Sequence, residues 1–216
     1  MARPRGVDDI VILRATAEVM GRVGPAGLTL AAVAREVGLV PGTLVQRFGS
    51  KRGLLLALAD RSVRDAAEWT GQVRRTHDSA LAALTALVTR SAAPLATPQS
   101  YAHHLAFLCL DLTDPELYEH ALTVHRAHTR AVGDLLAEAA DTGELRPGTD
   151  VAALTRTVRA VTAGAGLTWA LEREGTLAQC LSAELDAVLA PHVTSTSPSP
   201  SASPSPSTSV SAPEGP

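Results

Sequence analysis

The chain has 216 residues, enough for one larger domain or two small ones, and 45% are hydrophobic, enough to bury a core. Alanine and leucine dominate and aromatics are only 3%, which favours helices over sheet and makes all-α the expected fold class. The net charge of −3 hides a division: residues 1–53 carry +4 and the rest −7, so a basic module precedes an acidic body, a pattern that steers one face toward nucleic acid.

In chain order, Arg3 and Arg5 lie on a short arm that either reaches a flanking phosphate or minor groove or is simply solvated. Met1 to Ile10 has no apolar run of signal-peptide type, and no apolar stretch reaches the roughly 18 residues of a membrane span. A cytoplasmic protein with no membrane partner is expected. The first helix is predicted over Val7–Val23, with Ile10, Leu13, Ala17 and Met20 facing inward, and it ends at Gly24-Pro25-Ala26-Gly27.

Leu28 to Leu58 carries the most specific pattern. Thr29 suits an N-cap. Leu30, Val33, Ala34 and Val37 repeat at helical spacing. Gly38 suits a left-handed C′ position. Leu39 and Val40 form a turn, and Pro41 suits the first position of a second helix. Leu44 and Phe48 anchor that helix, while Gly42, Thr43, Val45, Gln46 and Arg47 remain to face outward. Gln46 and Arg47 offer donors suited to base edges and phosphates, and Thr43 a donor for phosphate. Ser50 is the next N-cap, followed by Lys51 and Arg52. Cations at a helix start oppose the helix dipole, an arrangement that makes sense where both meet phosphate. A third helix is predicted from Lys51 to about Thr76.

Ala34, Gly38, Gly42-Thr43-Leu44, Phe48, Ser50-Lys51 and Leu54-Leu55 together resemble the DNA-binding domain of the TetR family of bacterial transcriptional regulators. The likeness spans about fifty residues and includes the first helix. Val45 departs from it, because that family usually places a phosphate-contacting tyrosine there; valine can touch only a thymine methyl or a sugar. The resemblance implies a three-helix helix-turn-helix domain at residues 6–66, with the motif itself at 29–48. It also implies a helical effector-binding and dimerisation domain at 67–192. The DNA-binding residues expected are Thr29, Pro41, Gly42, Thr43, Val45, Gln46, Arg47 and Lys51.

In the body, Leu81, Leu84, Leu87 and Val88 mark a helix ending before Pro94. Tyr101–Leu112 marks another that is apolar on all sides and so expected to be buried. Asp114-Pro115-Glu116 opens a long helix to about Thr142, closed by Gly143. Two more helices follow at 151–174 and 177–189. Leu154, Val158, Val161, Ala165, Thr168 and Trp169 share one face of the first, and Leu177, Leu181, Leu185, Val188 and Leu189 one face of the second. Gly164 and Gly166 each cost roughly 1 kcal/mol in a helix interior, which points to close backbone approach. The resemblance implies that these two helices pair with a second copy into a homodimer, although their faces also suit a subunit core. Such a dimer favours a pseudo-palindromic operator with half-sites roughly 34 Å or more apart. Residues 193–216 hold nine serines and six prolines and are expected to be a disordered tail. Cys109 and Cys180 read as buried free thiols.

A repressor released by an unidentified small-molecule effector is the function that the resemblance implies. Candidate ligand-lining residues are Trp69, Tyr101, His104, Phe107, Leu108, His125 and Trp169. An alternative within the same fold is a metal-responsive regulator using the histidines at 103, 104, 120, 125 and 128; a weaker one is a helical adaptor that binds protein. No metal site and no cofactor are expected from residue spacing. The absence of a nucleophile elbow, phosphate loop or H-E-x-x-H helix argues against an enzyme.

Overall fold

Side-chain caps set where this chain turns helical, as a computed structural model describing residues 7–194 shows. The helices are α1 (Asp9–Gly27), α2 (Leu30–Glu36), α3 (Pro41–Phe48), α4 (Lys51–Arg75), α5 (Ala80–Ser91), α6 (Pro98–Asp111), α7 (Pro115–Asp141), α8 (Val151–Glu172) and α9 (Leu177–Leu189). Asp8, Thr29, Ser50, Ser79, Thr97, Asp114, Asp150 and Thr176 each accept a backbone N–H in the first turn of the helix they precede. Thr97 and Thr176 do so within reciprocal capping boxes. No β-strand occurs among the described residues; a single bridge pairs Leu145 with Val193. None of these helices is long and apolar enough to cross a membrane. The arm with Arg3 and Arg5 and most of the Ser/Pro-rich tail lie outside the described residues.

Two hydrophobic clusters divide the molecule. One gathers Ile12, Val19, Leu28, Val33, Leu44 and Leu54 from α1 to the start of α4. The other runs from Val73 to Leu189 through α5, α7, α8 and α9. Helix α6 belongs to both: Tyr101 lies in the body cluster and Phe107 in the N-terminal one. Helix α4 runs parallel to α7, held by Arg52–Asp114 at one end, His120–Asp60 between, and Arg74–Glu138 at the other. Helix α8 returns along α7, so that Thr155 meets Gly133 and Arg159 meets His125. The start of α5 is held by Glu144, whose carboxylate accepts from Ser79 Oγ and from the amides of Ala80 and Leu81. Burial alone would raise the Glu144 pKa, but these hydrogen bonds outweigh it and keep it below its ordinary value.

Several sequence expectations change. The first helix runs on to Gly27 through a break at Gly24, where φ is +68°. Its buried band is Ile12, Leu13, Ala15, Thr16 and Val19, while Ile10 and Ala17 are exposed. The band is rotated because α1 packs against α2 and α4 and also against α6. Helix α6 is not buried all round: Leu108, Leu110 and Leu112 at its end are 38%, 45% and 58% exposed. Cys109 is exposed and Cys180 half-buried, both as free thiols. The apolar faces singled out on α8 and α9 complete the subunit's own core through Leu154, Val158, Trp169, Leu181 and Leu185. Gly166 does answer a close approach, but an internal one: a Cβ there would stand 2.5 Å from the Tyr101 hydroxyl. Gly164 faces open space.

Candidate nucleic-acid interface

Helix α2 starts on Thr29, whose Oγ1 accepts from Ala32 N at 3.0 Å, and buries Val33 and Ala34. Gly38 then adopts φ +67°, and the Leu39 amide returns to the Ala34 carbonyl at 2.8 Å. No atom lies within 4 Å of a Cβ at Gly38, so the left-handed backbone, not crowding, is what requires glycine there. Helix α3 starts with Pro41 at its first turn and no side-chain cap on Val40.

Helix α3 has one anchored face and one outward face. Leu44 is fully buried, and Phe48 packs on the same cluster. Pro41, Gly42, Val45, Gln46 and Arg47 are exposed and Thr43 half-buried, with Val45 at 50% exposure. Nothing lies within 4 Å of a Cβ on Gly42, so backbone is open to approach there. Val40, 67% exposed, extends this surface and was not singled out from the sequence. A bare valine ahead of a proline gives no sequence signal of that kind.

The cations around α3 and α4 are more occupied than their sequence suggests. Arg47 Nη1 donates to the Val7 carbonyl and pairs with Asp9 at 3.0 Å, tying the end of α3 to the start of α1. Lys51 Nζ donates to the Pro25 carbonyl at 2.7 Å. Arg52 does not sit free at a phosphate-facing helix start. Its guanidinium donates to both Asp114 oxygens at 3.0 Å and pairs with Glu116 at 2.9 Å, joining the N-terminal module to the α6–α7 corner. These carboxylates raise the Arg52 pKa, and Arg52 in turn holds Asp114 below its ordinary value. Gly53 also escaped the sequence reading. A Cβ there would stand 2.0 Å from the Phe48 carbonyl oxygen, so only glycine lets α4 leave α3 at this angle.

The seven ligand candidates do not converge on one site. Tyr101 and Trp169 pack edge to face with ring centroids 6.3 Å apart, and Trp169 Nε1 donates to the Gly175 carbonyl at 3.3 Å. Tyr101 also borders an open groove of about 800 Å³ between α6 and α8, with Leu105, Leu167 and Leu171. Phe107 is 4% exposed inside the N-terminal cluster, so it is a core residue of the module rather than a wall of a body pocket. The Trp69 ring lies 4.2 Å beneath Arg90, and its Nε1 is buried without a hydrogen-bond partner. His104 keeps solvent access but sits amid protein mass, and desolvation lowers its pKa. Leu108 is exposed, and His125 Nδ1 lies 3.4 Å from Arg159.

The histidines are likewise dispersed. His103 meets the Gly21 carbonyl at 2.8 Å and His120 faces Asp60 at 3.4 Å. Among the described residues no group of three or more His, Cys, Asp or Glu side chains is placed to hold a metal ion.

Residues 12–58 match the model of the bacterial regulatory proteins, tetR family. No curated protein matches the chain. Many solved structures share its fold, three of them as follows. A protein of Rhodococcus sp., described as a TetR-family transcriptional regulator, is 24% identical, with 84% of this chain and 98% of that one covered and a TM-score of 0.61. A transcriptional regulator of Saccharomonospora viridis in complex with choline is 18% identical over 87% of this chain and 98% of that one, at a TM-score of 0.70. SmeT, the repressor of the Stenotrophomonas maltophilia multidrug efflux pump SmeDEF, is 21% identical over 93% and 98%, at 0.64. The module matched at residues 12–58 is the same α1–α4 unit that buries Leu44 and presents the outer face of α3. Residues 12–58 are thus similar to the bacterial regulatory proteins of the tetR family, and the chain as a whole shares the all-helical fold of these regulators.

Proposed function

We propose that the chain is a transcriptional repressor that binds a pseudo-palindromic operator as a homodimer and leaves it when a small molecule enters the body. The observation that carries this reading is the two-sidedness of α3: Leu44 wholly buried, Pro41, Gly42, Val45 and Gln46 outward. In this reading α3 enters the major groove, Gln46 reads a base edge, and Val45 meets a thymine methyl or sugar. Thr29, Thr43 and Lys51 contact phosphates, with the backbone at Pro41 and Gly42 close to the duplex. Arg47 contributes by holding the α1 start through Asp9 and Val7 as well as by any contact of its own. The module extends over residues 6–66 and the effector and dimer domain over 67–192.

The dimer surface belongs to the outer stripe of α8 and α9, not to the faces already used by the core. Ala160, Ala163, Gly164, Leu167 and Leu171 recur at helical spacing and are exposed, with Leu167 at 50% and Leu171 at 75%. Ala183, Ala187 and Ala190 give α9 a similar small-residue exposed edge. Exposed apolar side chains in register on neighbouring helices suit burial against a second copy. Release by a ligand is supported by analogy with the choline complex, and repression by analogy with SmeT.

A mobility-shift titration of the protein on the DNA upstream of its own gene tests the reading. A shift that survives non-specific competitor and weakens steeply with salt is expected. A protein that binds that DNA no better than competitor, or sediments as a monomer at micromolar concentration, overturns it.

A further inference from the structure

Helix α1 breaks at Gly24-Pro25, and two side chains from distant helices hold the break. At Gly24 the backbone has φ +68° and ψ −175°, a region open to glycine almost alone. Pro25 has no N–H, so the carbonyl four residues before it, that of Gly21, loses the donor that a continuous helix supplies. His103 of α6 stands in for that donor: its Nδ1 lies 2.8 Å from the Gly21 oxygen. A carbonyl only accepts, so it is Nδ1 that carries the proton. The ring also lies directly against Gly24, where a Cβ would stand 2.8 Å from its Cδ2. His103 thus meets both the missing amide and the missing side chain. Its neighbours on α6 keep it there. A Cβ on Gly21 would make an ordinary contact, 3.9 Å, with that of Ser100, and Phe107, one turn beyond His103, is buried in the N-terminal cluster.

Lys51, the first residue of α4, holds the same break. Its Nζ donates to the Pro25 carbonyl at 2.7 Å. An ammonium has three donors and no acceptor, so this bond leaves two for another partner. It also fixes the end of a long side chain that otherwise spreads over many rotamers. The Pro25 carbonyl takes its place from the Gly24 turn just before it. A shift of that turn therefore moves the acceptor on which Lys51 rests.

We propose that His103 is a positioning residue for DNA binding: through Gly21 and Gly24 it sets the α1 break, and the Pro25 carbonyl of that break aims the Lys51 ammonium at a phosphate. His103 itself touches no DNA. The proposal rests on the DNA-binding reading above and adds a residue of the body to the machinery of the module. It makes a chemical demand that packing alone does not, a donor at the Nδ1 position.

Mobility-shift titrations over a salt series, on the upstream DNA and on an unrelated duplex, provide the test. His103→Leu keeps bulk and removes the donor, whereas His103→Asn keeps an amide N–H near the Nδ1 position. In His103→Leu the slope of log affinity against log salt is expected to flatten by about one unit on both DNAs, as in Lys51→Ala. Combining His103→Leu with Lys51→Ala should flatten it no further than either alone. His103→Asn should recover most of the slope. A merely structural role lowers the melting temperature of His103→Leu, read by circular dichroism, and leaves the slope at its unmodified value. Where His103→Leu does not fold, His103→Phe, which keeps a ring without the donor, takes its place. Long-range nitrogen–proton NMR spectra of the unmodified protein need neither variant nor DNA. In mildly alkaline solution, where imidazole is neutral, they are expected to show His103 protonated on Nδ1. An unchanged slope in the donor-free variant, an additive double variant, no recovery in His103→Asn, or a ring protonated on Nε2 overturns the proposal. Equal affinity of the unmodified protein for the two DNAs removes the operator reading alone, because the slopes on the unrelated duplex still decide this one. Failure to bind either DNA removes both.

Discussion

The helix-turn-helix and the α7–α8 layer treat their polar side chains in opposite ways. In α3 the apolar anchor Leu44 points in and Gln46 out, so no donor is left without water. Between α7 and α8 the Arg159 guanidinium turns toward His125 Nδ1, which accepts from it, and Arg159 Nε is buried unpaired. An outward polar face meets a large partner that arrives from solvent. An inward pair keeps its polar contact within the subunit. The two arrangements are joined by α6, which has one aromatic in each core.

That junction gives the largest expected effect. Phe107→Ala empties a site in the N-terminal core from a helix of the body, and a loss of about 3–5 kcal/mol is expected in denaturant unfolding. Leu112→Ala, at an exposed position just beyond the same helix, is expected to stay within about 0.5 kcal/mol. Equal effects would mean that α6 does not hold the two regions together through Phe107.

Gly53→Ala tests the module alone. The added methyl meets the Phe48 carbonyl oxygen, and relieving the clash is expected to cost about 1–3 kcal/mol. Because the shift falls at the α3–α4 corner, operator affinity should drop while the α5–α9 body keeps its fold. Comparing near-ultraviolet dichroism of the body tryptophans with mobility shifts checks both halves. A variant that binds the operator normally would show that the corner tolerates movement.

These tests also mark what the sequence made legible. The caps and breaks of α2, α3 and α7 were readable because Thr29, Gly38, Pro41, Asp114 and Gly143 each act through local backbone chemistry. The outward set on α3 was readable for the same reason: Leu44 and Phe48, four residues apart, fix which side is inside. The sequence did not reveal the direction in which α1 and α6 face, nor whether the apolar faces it marked on α8 and α9 cover a second copy or the subunit's own core, since alanine-rich helices carry two apolar stripes and only packing decides between them. Partners distant in sequence were equally hidden. Nothing near Arg52 announces Asp114, nothing near Arg47 announces Asp9, and nothing near Arg159 announces His125. Phe107 illustrates the same limit, because an aromatic on a body helix reads as a pocket wall until its neighbours are known.

Arg47 offers a finer comparison within the module. Arg47→Ala removes a half-exposed ion pair whose loss costs at most about 1 kcal/mol of stability, yet operator binding should weaken. Asp9→Ala separates the causes. If Arg47 acts by holding the start of α1, Asp9→Ala weakens binding in the same direction. If Arg47 acts by touching DNA, freeing it from Asp9 strengthens binding instead. Mobility-shift affinities of the two variants and the double variant decide between them.

Acid should loosen the fold in two separate pH windows. Asp114 and Glu138 have folded pKa values below their ordinary ones, held down by Arg52 and Arg74. Their contribution is therefore present above the ordinary carboxylate range and lost as pH falls through the folded values. His104 and His128 are lowered by burial. The unfolded chain takes up their protons first, so stability starts to fall below about pH 6.5 and keeps falling until the folded values are reached. Thermal melts across pH should show the upper step diminished in His128→Gln and the lower step diminished in Arg52→Gln. A lower step unchanged by Arg52→Gln would detach it from the α4–α7 contact.

The smallest effect is expected at Lys51, where the contrast between internal and external partners is sharpest. Its Nζ donates to the Pro25 carbonyl, a neutral acceptor that leaves the positive charge unneutralised, unlike Arg52 with its two carboxylates. A cation held in place at the α4 start but not neutralised is suited to a phosphate. Lys51→Ala should then weaken binding to all DNA about equally and flatten the slope of log affinity against log salt by about one unit. Arg52→Ala, by the same argument, should leave that slope nearly unchanged, because its charge is already spent on Asp114 and Glu116. Salt titrations of both variants on operator and on unrelated DNA give the slopes. The reverse ranking would place the phosphate at Arg52 and show that the Asp114 pair opens when DNA binds.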